Sequence, residues 1–251
     1  MTNGDDSIKT PKEMTEKLLE NQSKGYVLNV EGKPIDEEND RIGTGYYVNR
    51  GIWDVPLMDF NVIGVYKLLC DAMGVYNTIG KVIIAGGGVR TAYDRPSGDT
   101  LSDIDIFFVG KRDDYKTVDG VNRFFDNTPN WKRTYKCPQN MLTSYVSDKG
   151  LKVQVITPFI YQSVEQLLNS FDFTISEFAY DGKDIWVGEN SIRHLAEHRL
   201  VITNITYPWA TIKRVFKYQA KGFKVTQDLV LSILGKIRNH QGKFDPRWYI
   251  D

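Results

Sequence analysis

Lys81-Val-Ile-Ile-Ala85 is an apolar run of the length of one buried strand, and it ends in three consecutive glycines, Gly86, Gly87 and Gly88. Fifteen residues beyond Gly88, Asp103-Ile104-Asp105 opens a second apolar run, Ile106-Phe107-Phe108-Val109. Successive strand residues point to opposite faces, so Asp103 and Asp105 are neighbours on one face and Ile104 points to the other. Apolar residues at every position from 106 to 109 need burial on both faces, which places this strand inside a covered sheet.

Two carboxylates side by side repel each other. A divalent cation relieves that repulsion, and hard oxygen ligands favour Mg²⁺ or Mn²⁺. A metal so held, with open coordination positions, holds nucleotide phosphates and activates an attacking hydroxyl. The glycines add a loop without Cβ atoms, where backbone N–H groups approach an anion closely and a following helix adds its N-terminal dipole. Arg90 follows directly and offers a forked donor pair to a phosphate. The spacing fits neither GxxxxGK[ST] nor GxGxxG.

The remaining pattern mixes strands and helices as far as about residue 190 and is helical beyond it. Helices are expected near residue 10, over 59–73 and over 113–125. A hairpin is expected where 142–147 and 151–157 flank the turn residues Asp148-Lys149-Gly150. Ser163 caps a helix through Phe171, and a strand is expected from Asp172 to Tyr180, turned by Asp181-Gly182. Ser191 caps a helix through His198, Pro208 opens one through Lys221 with Gly222 beyond it, and Thr226 caps a last one. The expected fold class is α+β: a mixed sheet flanked by helices, followed by a small helical domain. The division is 1–45, 46–190 and 191–251.

Charge follows the same division. Lys plus Arg and Asp plus Glu both number 32, but residues 1–40 carry ten acids and five bases while 208–251 carries nine bases and three acids. The neutral total excludes a strongly basic nucleic-acid coat protein, and the basic segment leaves room for a local phosphate-binding surface. Lys213, Arg214, Lys217 and Lys221 share one broad helix face, with Ile212, Val215, Phe216 and Ala220 as candidates for the buried side. Tyr207, Trp209, Tyr218 and Phe223 interleave with them as stacking or core residues. The two cysteines, Cys70 and Cys137, form neither a disulfide framework nor a zinc pattern. His194 and His198 share a helix face but lack the HExxH context of a zinc site. No apolar run spans a bilayer, and the polar segment MTNGDDSIKTPKE has no signal-peptide core. The expectation is a cytoplasmic protein.

The wording IIAGGGVR…LSDIDIFF resembles the signature of the polymerase beta-type nucleotidyltransferase superfamily, closest to the branch of CCA-adding enzymes and poly(A) polymerases. VEQLLNSFDFTISEFAYDGKDIWV resembles a segment of phage- and virus-encoded members, which would put the protein in a host cytoplasm. Residues 208–223 resemble the helix that follows the catalytic core in the same group. The resemblance implies transfer of a nucleoside monophosphate from a nucleoside triphosphate to a hydroxyl. The expected acceptor is an RNA 3′ end, of tRNA or another RNA; the alternatives are a protein or small-molecule hydroxyl, or a nucleotide- or nucleic-acid-binding module without catalysis.

It further implies that Asp103 and Asp105 bind magnesium and that Gly86, Gly87 and Gly88 touch the triphosphate or the acceptor. Arg90, Lys213, Arg214, Lys217 and Lys221 are the cations expected to face the phosphates. The superfamily also expects a third carboxylate on the strand beside the Asp-x-Asp strand. Gln154 occupies the natural place, and an amide is no base. Asp172 is then the substitute catalytic carboxylate, or equally a turn aspartate.

Overall fold

The computed structural model describes residues 46–49, 60–93, 103–111, 115–138 and 141–239. The helix expected near residue 10 lies outside them. The core is one eight-stranded mixed sheet. Its strands are β1 (Tyr46–Asn49), β2 (Val82–Ala85), β3 (Asp103–Val109), β4 (Trp131–Lys136), β5 (Leu142–Ser147), β6 (Lys152–Tyr161), β7 (Phe178–Tyr180) and β8 (Asp184–Val187), in the spatial order β1-β8-β7-β2-β3-β6-β5-β4. Every pairing is antiparallel except β3 with β6.

Helices cover both faces. On one, α1 (Phe60–Met73), which the short α2 (Val75–Thr78) follows, α3 (Gly87–Tyr93) and α4 (Lys116–Asn127) meet Ile84, Ile104, Ile106, Phe108, Val153 and Val155 in the larger core. On the other, α5 (Val164–Leu168) covers Ile83, Ala85, Phe107, Ala179 and Trp186. The last three helices, α6 (Ser191–Ala196), α7 (Pro208–Ala220) and α8 (Gln227–Asn239), send Ile192, Leu195, Val215, Tyr218, Leu229 and Ile233 into the larger core. The strands end at Val187, and the helices beyond them share a single apolar cluster with the sheet.

Several elements form where local chemistry places them. The β5–β6 hairpin turns at Gly150, whose φ of 81° suits glycine. The Ser163 hydroxyl accepts from the Gln166 N–H at 3.3 Å and starts α5. The Thr226 hydroxyl accepts from the Leu229 N–H at 3.3 Å and starts α8.

Others differ from expectation. The segment read as a strand from Asp172 is a 3-10 turn, Thr174–Ser176, followed by the three-residue β7. Its first residues bond away from the sheet: the Thr203 N–H donates to the Asp172 carbonyl at 2.8 Å and the Thr174 N–H to the Val201 carbonyl at 3.1 Å. Residues 172–180 are buried throughout, so side-chain alternation carried no true period there. α5 ends at Leu168, short of Phe171, because the Ser170 and Phe171 N–H groups bond back to the Leu167 and Leu168 carbonyls in a tightened turn. Ser191 does not cap α6; Asn190 precedes that helix and the Ser191 hydroxyl donates to Glu177 at 3.4 Å. Strand β4 was not expected at all. It is an edge strand, exposed from its second residue onward, and carries no apolar alternation.

The β7–β8 turn is pinned from below. Asp181 Oδ1 accepts from the Lys183 and Asp184 N–H groups at 2.8 and 2.7 Å, and Oδ2 from the Trp186 indole at 2.8 Å. The Tyr66 hydroxyl of α1 lies 2.9 Å from the carbonyls of Thr78 and Val82. Gly182 closes this turn at φ 96°, and a Cβ there would stand 2.1 Å from the Tyr66 ring. Gly182→Ala combines left-handed strain with overpacking and should lower unfolding stability by about 3 kcal/mol in urea titration.

Candidate active site

Strand β3 carries the centre of the site. Ile104 and Ile106 bury in the larger core, so Asp103 and Asp105 share the opposite face with Phe107. Parallel pairing sets Asp103 beside Lys152 of β6 and Asp105 beside Gln154; on the other flank Asp105 faces Ala85 of β2. Lys152 Nζ lies 3.5 Å from Asp103 Oδ1. Gln154 is buried and faces Ser144 of β5 in register. The position beside Asp105 is thus filled by an amide.

Burial, and then the Asp103 charge, push the Asp105 carboxyl up to about 7, against the opposing pull of Arg214, Lys152 and Lys217. The donor set fits a magnesium ion: two hard anionic oxygens from neighbouring side chains, with an amide oxygen close by. Asp103 and Asp105 would hold it. Among the described residues no group of three or more His, Cys, Asp or Glu side chains converges on one point.

Gly86 turns the chain out of β2 at φ 87°, and its N–H donates to the Phe178 carbonyl at 2.7 Å. A Cβ at Gly86 would lie 3.4 Å from the Phe171 ring and 3.9 Å from Asp105 Oδ2, so the bend sits against the carboxylate. α3 starts immediately, at Gly87, and Gly88 is buried within it. The glycines therefore form a turn and a helix start rather than the open loop expected, and one of their three N–H groups is already bonded within the sheet.

Arg90 lies elsewhere. Its side chain is 4% exposed, and its guanidinium stands over the rings of Tyr218 and Phe223, 5.3 and 5.8 Å from their centroids. It clamps α3 to α7 by cation–π contact instead of presenting a fork to a phosphate, because α3 faces the larger core and not the carboxylates.

On α7 the basic residues divide. Arg214 forms an ion pair with the buried Asp172 carboxylate. Lys213, Lys217 and Lys221 are exposed. Val215 and Tyr218 are buried, whereas Phe216, assigned to the buried side, is 64% exposed. Ala220 is exposed as well, since the helix buries only the stripe that meets α3 and α8. His194 Nδ1 is 2.9 Å from the Thr174 hydroxyl, and burial leads the influences that lower its pKa. His198 stacks on Phe223. The two histidines thus have separate structural contacts.

Two site neighbours escaped the sequence reading. Lys152 and Phe171 flank the carboxylates, yet only the parallel β3–β6 pairing and the end of α5 bring them there. The expected hairpin already placed Lys152 two residues before Gln154, which was the available signal.

An apolar strand, a glycine bend and an Asp-x-Asp strand in one mixed sheet make this a nucleotidyltransferase fold. Solved structures agree. The Thermotoga maritima CCA-adding enzyme in complex with tRNA superposes with a TM-score of 0.54 at 20% identity, over 76% of this chain and 46% of that one. A CCA-adding enzyme in complex with ATP gives 0.56 at 20% identity, over 76% and 45%. At that identity the likeness is one of fold, and it upholds the resemblance to polymerase beta-type nucleotidyltransferases. Residues 65–198 match the Gabija anti-defense 2 family, and the chain belongs to that family. The Gabija anti-defense 2 protein of Bacillus phage SPbetaL7 is 24% identical over 157 residues, 61% of this chain and 36% of that protein. The chain thus spans about a third of that relative and under half of the enzymes.

Asp105 titrates upward, so in magnesium-free buffer the folded state holds a proton that the unfolded state has lost. Its contribution to stability falls as pH rises from about 4 to about 7. Asp105→Asn should flatten that part of the curve, and the chelator-treated variant should melt higher than chelator-treated wild type at pH 8.

Proposed function

We propose that the protein is a metal-dependent nucleotidyltransferase moving a nucleoside monophosphate from a nucleoside triphosphate to an acceptor hydroxyl, with an RNA 3′ end as the acceptor. The observation that carries this reading is the pair Asp103 and Asp105, on one face at the start of β3, with Asp105 against the Gly86 bend. Bound magnesium supplies charge neutralisation at the phosphates and a lowered pKa for the attacking hydroxyl. The chain's own part is positioning. Asp103 and Asp105 hold one edge of the site, the Gly86 bend admits the substrate closely, and the cations of α7 balance charge across it.

An RNA acceptor is supported by the exposed Lys213, Lys217 and Lys221 on α7 and by the tRNA complex among the structural neighbours. The family and its phage relative support a role in countering the Gabija defence, carried out in the host cytoplasm. No helix among the described residues is long and apolar enough to cross a membrane. A second reading, nucleotide binding without transfer, is favoured by one observation: the buried Gln154 stands beside Asp105 where the superfamily expects a carboxylate.

Labelled nucleoside triphosphates, magnesium and total RNA from the host test the first reading. Label should appear on RNA and vanish in the Asp103→Asn, Asp105→Asn double variant. Label on protein instead would reassign the acceptor, and magnesium-dependent nucleotide binding without label would select the second reading. Gln154→Glu provides a further check. If the missing base limits turnover, the initial rate should rise about 100-fold or more, the usual scale of general-base catalysis.

A further inference from the structure

We infer that Asp172 is a positioning residue for Arg214, and that Arg214, held this way, contacts the triphosphate of the substrate. The inference rests on the reading above that the chain takes a nucleoside triphosphate, and it assigns Asp172 a role other than the third carboxylate.

The geometry closes a ring around the site. Phe171 packs against the Gly86 bend, and the next residue, Asp172, pairs with Arg214 of α7. One turn further along α7, Tyr218 is buried beneath Arg90 of α3, the helix that leaves the same bend. The Tyr218 hydroxyl also lies 3.0 Å from the Ser176 hydroxyl, in the segment that Asp172 opens. The helix bearing Arg214 is thus fixed to both sides of the glycine turn.

Asp172 is itself held. The residue is buried, and its carbonyl accepts the Thr203 N–H at 2.8 Å. The Arg214 side chain is 39% exposed at the rim, and its field reaches Asp105 together with that of Lys217. A planar guanidinium held through one nitrogen by a buried carboxylate is pre-organised for a second anion, and its remaining N–H groups suit phosphate oxygens. The ion pair then has a purpose that stability alone does not require, since partly exposed pairs often add little to it.

The test measures binding of magnesium tripolyphosphate, and of ATP and CTP analogues with a methylene bridge between the α- and β-phosphorus, by calorimetry. Thermal unfolding and steady-state transfer are measured alongside. Arg214→Lys keeps the ion pair and the fold but loses the fork, and should weaken all three probes by about tenfold or more. Asp172→Asn should weaken them several-fold, with KM raised and kcat within about threefold of wild type. Asp172→Glu should recover part of the affinity, and it carries the measurement should Asp172→Asn fail to fold.

Unchanged affinity in Arg214→Lys and Asp172→Asn would overturn the inference. So would lowered melting temperatures with wild-type affinity in the folded protein, the mark of a purely structural pair. An Asp172→Asn variant with wild-type KM and kcat reduced about 100-fold would instead make Asp172 the acceptor base. If wild type takes up none of the probes with magnesium, the proposed function falls and this inference with it. If wild type binds and the variants bind equally, only the inference falls.

Discussion

The alternation of side chains along β3 is the constraint from which the site follows. Ile104, Ile106 and Phe108 are anchored in the larger core, and that anchoring leaves Asp103 and Asp105 no face but the opposite one. A slip of one residue would turn both carboxylates into the larger core and take Ile104, Ile106 and Phe108 out of it. The apolar flank of the motif therefore does as much for the chemistry as the acids do. The parallel partner β6 carries the same logic across: Val153 and Val155 are sunk in that core, and Lys152 and Gln154 emerge beside the aspartates.

Charge in the resulting cluster is held in tension. Two neighbouring carboxylates, one of them pushed toward neutrality, face Lys152 on the sheet and Arg214 and Lys217 on α7. Lys152 pairs with Asp103, and Asp172 already engages Arg214. Burying like charges together is costly, and the dication and polyanion of the proposed function would offset that cost. The aromatic clamp of Arg90 over Tyr218 and Phe223 serves this arrangement at a distance, since it sets where α7 rests.

Much of the architecture was legible in local pattern. Helices α1, α4, α7 and α8, strands β2, β3 and β5 and the hairpin into β6 follow from apolar periodicity, caps and turn residues, each of which acts within a few positions. The failures have physical causes too. β4 is an exposed edge whose stability comes from its neighbour rather than from an apolar face. The residues after Asp172 are buried on every side, so period carries no information, and their backbone partners lie about 30 residues further on in the chain. Arg90 turns to the aromatic rings because a guanidinium next to a glycine turn suits phosphate and aromatic rings equally well, and only the arrival of α7 decides between them.

From the amino-acid order alone came the two aspartates on one face, the glycine bend before them and the absence of a carboxylate at position 154. These are properties of strand geometry and side-chain chemistry, and they hold wherever the strands are placed. The tertiary structure decided that Gln154 is the residue beside Asp105, that Arg90 is spent on packing, and that Asp172 answers to Arg214. Each depends on contacts between segments dozens of residues apart, where the free energy of association is set by the whole packed core and not by any local stretch.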